Sequence, residues 1–288
     1  MNDYVIYTDS ACDLDESILK DWGVLYEELT YTFTDSPRQY TNYEIDPKEF
    51  YKMMRDGKIA KTSAINTATF VNSFSKVLEE GKDILYLGFS SGLSNTVNSA
   101  EKAAEELRVK YPENKIIVID TLAASTGEGL LVYFAVEAKK RGADIEEAAN
   151  EIREKVPHLA HWFTVDDLVY LKRGGRVSNV AAFVGGLLGI KPVLHVDDEG
   201  HLIPMSKVRG RKTSIKALAD KYTELAITPN EGTVFICQGD CIDDANYLAG
   251  LIKERHGVEV KIISYTGPVI GAHSGPGTLA LFFLAKHK

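Results

Sequence analysis

With 288 residues, 44% of them hydrophobic and 26% charged, the chain has the composition of a globular protein and length for two ordinary domains or one large one. Its formal net charge of −8 excludes a broadly basic, nucleic-acid-binding surface. No apolar run approaches the roughly 18 residues that span a bilayer, and the opening MNDYVIYTDS lacks a secretory signal's basic and apolar regions; with only three cysteines, the expectation is a cytoplasmic protein with reduced thiols.

Tyr4 to Tyr7 predicts a short buried strand, followed by the hydroxyl-and-acid loop TDSACDL, Thr8 to Leu14. Asp13 or Asp15 is placed to cap a helix starting near Glu16. Gly23 to Phe33, rich in β-branched and aromatic residues, predicts one strand. Asp46-Pro47 opens a helix whose apolar stripe is Phe50, Met53 and Met54.

Lys61 to Phe70, KTSAINTATF, reads as a second small-polar loop running into a helix marked by Phe70, Phe74, Val77 and Leu78. Thr62 and Ser63 there either present hydroxyls to a ligand or simply cap the helix. The next unit is the one around which the chain is organised. Ile84 to Leu87 predicts a buried strand and Ala100 to Leu107 an amphipathic helix, joined by a loop of Gly, Ser, Asn and Thr. Free N–H groups and the positive end of the helix dipole suit an anion there. No Lys follows the glycines, so this is not a P-loop; a carboxylate held by serine hydroxyls is the alternative to an ordinary capped helix.

Lys115 to Asp120, TLAASTG and GLLVYFAVEAKKRG make a further strand–loop–helix unit. Four such units predict a parallel sheet with helices on both faces. Its ligands belong beyond the carboxyl ends of the strands, where the loops gather.

After Gly142 the texture changes. A charged helix (Ile145 to Val156) leads through Pro157 into the strand LAHWFTV, so two domains are expected, residues 1–156 and 157–288. The second half carries DDLVYLKRGGRVS (Asp166 to Ser178), an uncharged stretch from Val180 to Ile190 that reads as a core helix or the wall of an apolar tunnel, and a hairpin turning at Asp198 to Gly200. A helix (Thr213 to Leu225), a strand (Thr233 to Cys237), a helix (Asp243 to Arg255) and a strand (Val258 to Ser264) follow, suggesting an α/β layer with a mixed sheet. Arg173 and Arg176 flank a Gly pair that lets guanidinium and backbone approach a ligand closely. His273, in IGAHSGPG, reads as held by glycines and a proline in a loop of unusual dihedrals. Lys207, Arg209, Arg211, Lys212 and Lys216 form a basic patch with no acid from His201 to Ala219, apt for an acidic partner or a phosphate. Cys237 and Cys241 lack companions at ligand spacing, so no metal site is expected.

Taken together and in order, TDSACDL, KTSAINTATF, SSGLSNTVNSA, IDTLAASTGEGLLV, DDLVYLKRGGRVS and IGAHSGPGT resemble the DegV family, bacterial fatty-acid-binding proteins that serve fatty acid kinase. The resemblance implies a two-domain DegV-like α/β fold with a long-chain fatty acid, such as palmitate or oleate, between the domains. It places the carboxylate on Thr62 of the TS motif, with Ser63 beside it, on Ser94 of the GLS motif and on His273 of the GAH motif, with Arg173 in support. It implies a kinase partner that converts the bound carboxylate to an acyl phosphate for phospholipid synthesis, docking near Arg209 with Lys207 and Arg211. Under it the chain has no catalysis of its own, no cofactor beyond its ligand, and at most transient membrane contact. One departure is that KTSAINTATF lacks the proline common in that loop.

A fatty acid suits such a site, since burial contributes roughly 0.8 kcal/mol per CH₂, or ~11 kcal/mol for about fourteen methylenes before the costs of association. Two rivals remain from the residues. Gly88 to Gly92 matches the G-x-S-x-G elbow of an esterase, with Ser90 as nucleophile, His273 as base and an acid such as Asp240. Against it, Leu93, Ser94 and Asn95 continue the loop where an elbow runs straight into a helix. A nucleotide-binding module would need G-x-G-x-x-G or a P-loop, and neither is present.

Overall fold

The structure, a computed structural model, describes residues 3–177 and 189–288. From the amino end come β1 (Tyr4–Asp9), α1 (Glu16–Asp21), β2 (Leu25–Glu27), β3 (Thr30–Phe33), β4 (Gln39–Thr41), α2 (Pro47–Arg55) and β5 (Ala60–Ser63). Next are α3 (Thr67–Glu79), β6 (Asp83–Gly88), α4 (Thr96–Lys110), β7 (Ile116–Asp120), α5 (Thr126–Lys140) and α6 (Ile145–Lys155). A 3-10 turn, Val156–His158, leads to β8 (Leu159–Thr164), α7 (Val169–Gly174), β9 (Ile190–Val196), β10 (Leu202–Arg209) and α8 (Arg211–Leu225). The chain closes with β11 (Phe235–Gln238), α9 (Ile242–His256), β12 (Ile262–Tyr265), α10 (Pro268–Ser274) and β13 (Leu279–Leu284).

The expected α/β class is the one observed. An all-parallel sheet of four strands runs β2-β1-β6-β7, and a mixed sheet of six runs β10-β9-β8-β13-β11-β12. All six residues of β6 are buried, as a central parallel strand covered on both faces requires. α5 joins the two sheets. Its Leu130, Leu131, Val132 and Ala135 share one buried cluster with Leu85 and Leu87 of β6 and with Phe235 and Phe282 of the mixed sheet. The helix is apolar on so much of its circumference because it has a sheet on either side.

Several expectations are corrected. Gly23 to Phe33 is two strands in different sheets, not one. The chain leaves the parallel sheet after Glu27, the Leu29 N–H donates to Ser10 Oγ, and β3 then pairs with β4 and β5 in a small antiparallel sheet. There Tyr31 and Phe33, two residues apart on one face, pack on Phe50 of α2. KTSAINTATF is likewise not a loop through its first residues. Thr62 and Ser63 lie on β5, which takes them out of the parallel sheet, and the cap of α3 is Asn66, whose Oδ1 accepts from the Thr69 N–H at 3.0 Å.

Of the two candidates at the start of α1, Asp15 holds the N-cap position. His273 sits in the last turn of α10 rather than in a loop, and the unusual dihedrals come just after it, at Gly275 and Gly277 with φ of 83° and 78°. The hairpin β9–β10 turns where expected, with Gly200 at φ 80° and its N–H donating to Asp197 O. Of Val180 to Ile190, only Gly189 and Ile190 fall among the described residues.

Candidate functional site

The two sheets meet around a cavity of about 260 Å³. Its floor is the face of the mixed sheet: Ala280 and Phe282 of β13, with Thr278 just before the strand on the same alternation, and Phe163 and His161 of β8 opposite Ala280 and Phe282. Side chains two residues apart share a face, so this floor runs ~13 Å along the strands. Phe89 and Leu93 close it from the first half, and Val196 and Leu202 from the β9–β10 hairpin. That hairpin is pinned across the gap by Ser90 Oγ, which donates to Gly200 O at 3.0 Å. Hydroxyls along the floor already have partners: Thr278 donates to Gly275 O, and Thr266 to Cys237 Sγ.

The mouth is different. Thr62 Oγ1 and His273 Nε2 lie 2.8 Å apart, joining β5 to α10 across 211 residues of sequence. Ser63 and Ser94 line the same cavity, as does Arg176. Ser94 Oγ accepts from the Thr96 N–H at 3.3 Å and lies 2.9 Å from Thr96 Oγ1, so it also serves the first turn of α4. Gly174 lets α7 approach α10, because a Cβ there would meet His273 Nδ1 at 2.3 Å.

Nδ1 has no hydrogen-bond partner among the described residues. Burial, with the Arg176 guanidinium nearby, pushes His273 down to about 4, so the ring is neutral at physiological pH. We assign its one proton to Nε2, where it donates to Thr62 Oγ1 and leaves the Thr62 hydroxyl proton to point elsewhere. Two hydroxyl donors and a guanidinium at the end of an apolar cavity have the donor chemistry that an anion such as a carboxylate requires.

Thr62, Ser63, Ser94 and His273, expected from the sequence, thus line one cavity. Arg173 does not. It lines a second cavity outside the Thr62–His273 pair, and Arg176 is the arginine shared by both. The reason is local: Gly175, in the left-handed region at φ 65°, ends α7 and reverses the chain. Arg176 then donates to Gly174 O at 2.5 Å and reaches Leu93 O at 3.5 Å, beside Ser94.

The esterase constellation is not assembled. Ser90 Oγ is committed to Gly200 O and accepts from the Gly92 N–H, Asp240 is ion-paired with Arg55, and His273 faces Thr62. The basic patch is also smaller than the sequence suggests. Arg211 is tied to Asp244 at 2.8 Å and Asp166 at 3.6 Å, whereas Lys207 and Arg209 are exposed on β10. Among the described residues there is no group of three or more His, Cys, Asp or Glu able to hold a metal, and no helix long and apolar enough to cross a membrane.

A second polar cluster, unnoticed in the sequence, lies at the seam between the halves. Asp13, fully buried, accepts from Ser125 Oγ and from the Gly267 N–H, and its carbonyl accepts from Ser264 Oγ. Both Asp13 and Ser125 have positive φ, 51° and 57°, strain that their mutual bond holds in place. Burial outweighs these bonds and pushes Asp13 up to about 8.

A family model described as an uncharacterised protein of the DegV family matches residues 3–286. A DegV domain-containing protein of Clostridium perfringens is 46% identical over 290 residues, covering 100% of this chain and 99% of its own length. A DegV family protein of Thermus thermophilus, described as binding fatty acid, superposes with a TM-score of 0.89 at 29% identity, covering 99% of this chain and 100% of that one. A stearic acid-binding protein of Eubacterium ventriosum superposes with a TM-score of 0.88 at 26% identity, covering 98% of each chain.

Proposed function

This chain belongs to the DegV family, and we propose that it binds a long-chain fatty acid such as palmitate or oleate, tail inward on the β8–β13 face and carboxylate at the mouth. The observation that carries this reading is the asymmetry of the cavity: its floor is largely apolar, with Phe163, Ala280 and Phe282, while Thr62, Ser63, Ser94 and Arg176 gather at one end. The tail supplies most of the affinity, at roughly 0.8 kcal/mol per methylene. The head group decides where the chain stops. Thr62 and Ser94 donate hydroxyl protons to the carboxylate oxygens, His273 holds Thr62 in the donating orientation, and Arg176 supplies charge.

The protein works as a carrier that presents this carboxylate to a partner kinase in the cytoplasm. A carboxylate oxygen attacks the terminal phosphorus of a nucleoside triphosphate held by the partner. An O–P bond forms, and the bond to the leaving diphosphate breaks with its electron pair on that diphosphate. No proton moves, so the carrier needs no general base, in keeping with a His273 that stays neutral. The acyl phosphate formed is labile, and a largely closed site limits water around it until it passes to phospholipid synthesis. Exposed Lys207 and Arg209 on β10 are the surface proposed for the kinase; Arg211 belongs to the fold.

Mass spectrometry of a solvent extract of the purified protein tests the carrier reading. About one equivalent of fatty acid is expected, falling in Ser94→Ala. Protein that yields no lipid and takes up no palmitate when offered it contradicts the reading.

A further inference from the structure

Cys237 stands opposite Ala280 in the β11–β13 pairing. Residues directly opposite each other share a face, so the Cys237 side chain, like that of Ala280, points into the cavity that both line. Three hydroxyls converge on its sulfur. Ser125 Oγ donates to Sγ at 3.0 Å and Thr266 Oγ1 at 3.2 Å. The Thr126 hydroxyl, fully buried and with no hydrogen-bond partner among the described residues, faces the same thiol. Behind Ser125 stands Asp13, whose Oδ2 accepts from Ser125 Oγ. The other two thiols are placed differently: Cys12 is buried in the core around α5, and Cys241 Sγ donates to Thr278 O at 3.2 Å. Packing alone does not call for three hydroxyls around one sulfur in an apolar wall; a thiolate does.

We propose that Cys237 is an alkylation site for fatty acids whose chain carries an electrophilic alkene, such as a conjugated enone, with Ser125 relaying the thiol proton to Asp13. That the electrophile arrives on a fatty acid rests on the reading above; the nucleophile itself rests on the cluster. At rest the sulfur is a thiol, pushed up to about 11 by burial and by Asp13, so it is inert to a chance encounter. When Asp13, pushed up to about 8, is ionised, the Cys237 proton passes to Ser125 Oγ and the Ser125 proton to Asp13. The negative charge moves from carboxylate to sulfur, and the buried charge does not grow. Asp9, Asp15, Cys12, Tyr43, Tyr51 and Glu128 also face Asp13. All six are acids, so the three hydroxyls, rather than a cation, stabilise the thiolate. The sulfur then adds to the β-carbon of the enone. An S–C bond forms, the π pair moves onto the carbonyl oxygen, and the α-carbon takes up the proton that left the sulfur, restoring ionised Asp13. A tail lying along β13 holds its alkene beside the sulfur, and that proximity compensates for a thiol that is mostly protonated.

The test is intact-mass and peptide-mapping spectrometry of the full chain, stripped of lipid and offered oxo-octadecadienoic acid, a fatty acid with a conjugated mid-chain enone. About one adduct per chain is expected, on Cys237, lost in Cys237→Ala and retained in Cys241→Ala. It should form about a hundredfold faster than with methyl vinyl ketone, an enone with neither tail nor carboxylate, and should slow when palmitate competes. The rate should rise through about pH 8; Asp13→Asn should lose that rise and react about tenfold more slowly above it. An adduct on Cys12 or Cys241, or equal rates for the two enones, overturns the proposal, and an unchanged pH profile in Asp13→Asn overturns the relay. Palmitate uptake is read on the same samples. Uptake without an adduct removes the alkylation site and leaves the fatty-acid reading; an adduct on Cys237 without palmitate uptake does the reverse, and the absence of both removes both.

Discussion

At the seam, Asp13 gathers Ser125 Oγ and the Gly267 N–H onto its carboxyl and Ser264 Oγ onto its carbonyl, and the Asn42 side chain ties Ser10 O to the Val269 N–H. At the mouth, Thr62 and His273 satisfy each other, but His273 Nδ1 has no partner among the described residues, Ser63 is exposed and Arg176 has only carbonyls. Both clusters join the same halves of the molecule and bury polar groups to do it. The seam is complete without a ligand, and the mouth is not. Completed buried networks hold a fold together; the Thr62 hydroxyl proton, left over by the Nε2–H donation, and the Arg176 guanidinium, which has no carboxylate partner among the described residues, are donors an anion can complete.

Breaking the seam should therefore cost stability, and breaking the mouth should cost binding. Asp13→Ala leaves the Gly267 N–H without its acceptor and Ser125 Oγ with only the weak acceptor Cys237 Sγ, and is expected to lower the unfolding free energy by about 3 kcal/mol in urea. Thr62→Val keeps a β-branched side chain on β5 and removes only the hydroxyl. Palmitate should bind about tenfold more weakly in a fluorescence competition assay, ~1.4 kcal/mol, and the lost partner of the His273 Nε2–H should lower the urea midpoint by less than Asp13→Ala does. Gly174→Ala drives a methyl to 2.3 Å from His273 Nδ1 at a helix end whose backbone accepts alanine. The displaced ring should weaken palmitate about fivefold by the same assay, through Thr62.

The pH dependence separates the clusters further. Asp13 is raised from 3.8 to about 8 when folded, so the folded state holds that proton more tightly. The stability it lends is whole below about pH 4 and is lost as pH rises toward 8. His273 runs the other way. Lowered to about 4, it gives up its proton on folding, and stability from this group is lost as pH falls from about 6.5 through 4. Asp13→Asn should remove the first slope, on the order of 1 kcal/mol per pH unit or less, in urea titrations between pH 5 and 8. A variant with the wild-type slope would assign it to Asp9, pushed up to about 6, or to Glu128, also raised by burial.

The mouth was more legible in the sequence than the seam. Thr62, Ser94 and His273 stood in short motifs of small polar residues, and those types are uncommon in cores unless something holds them. Arg176 was harder. Both arginines of the RGGR run look alike, and which one turns inward depends on the left-handed turn at Gly175. Asp13 and Ser125 left little trace, because a bond across 112 residues has no sequence period and each residue passes for a helix cap. The split of Gly23 to Phe33 was hidden for a related reason: β2 and β3 share strand-forming residues, and only the bond from Leu29 to Ser10 shows where the chain changes sheets. We propose residues 1–156 and 157–288 as the two units of the chain, sharing the core around α5.

The most direct measurement is ¹³C NMR of palmitate labelled at its carboxyl carbon and bound to the protein. If the mouth is the head-group site, the label gives one resonance distinct from free palmitate, which moves in Thr62→Val and Ser94→Ala and stays in place in Asp13→Asn. A carboxyl resonance indifferent to Thr62 and Ser94, or one that follows Asp13, would contradict the account.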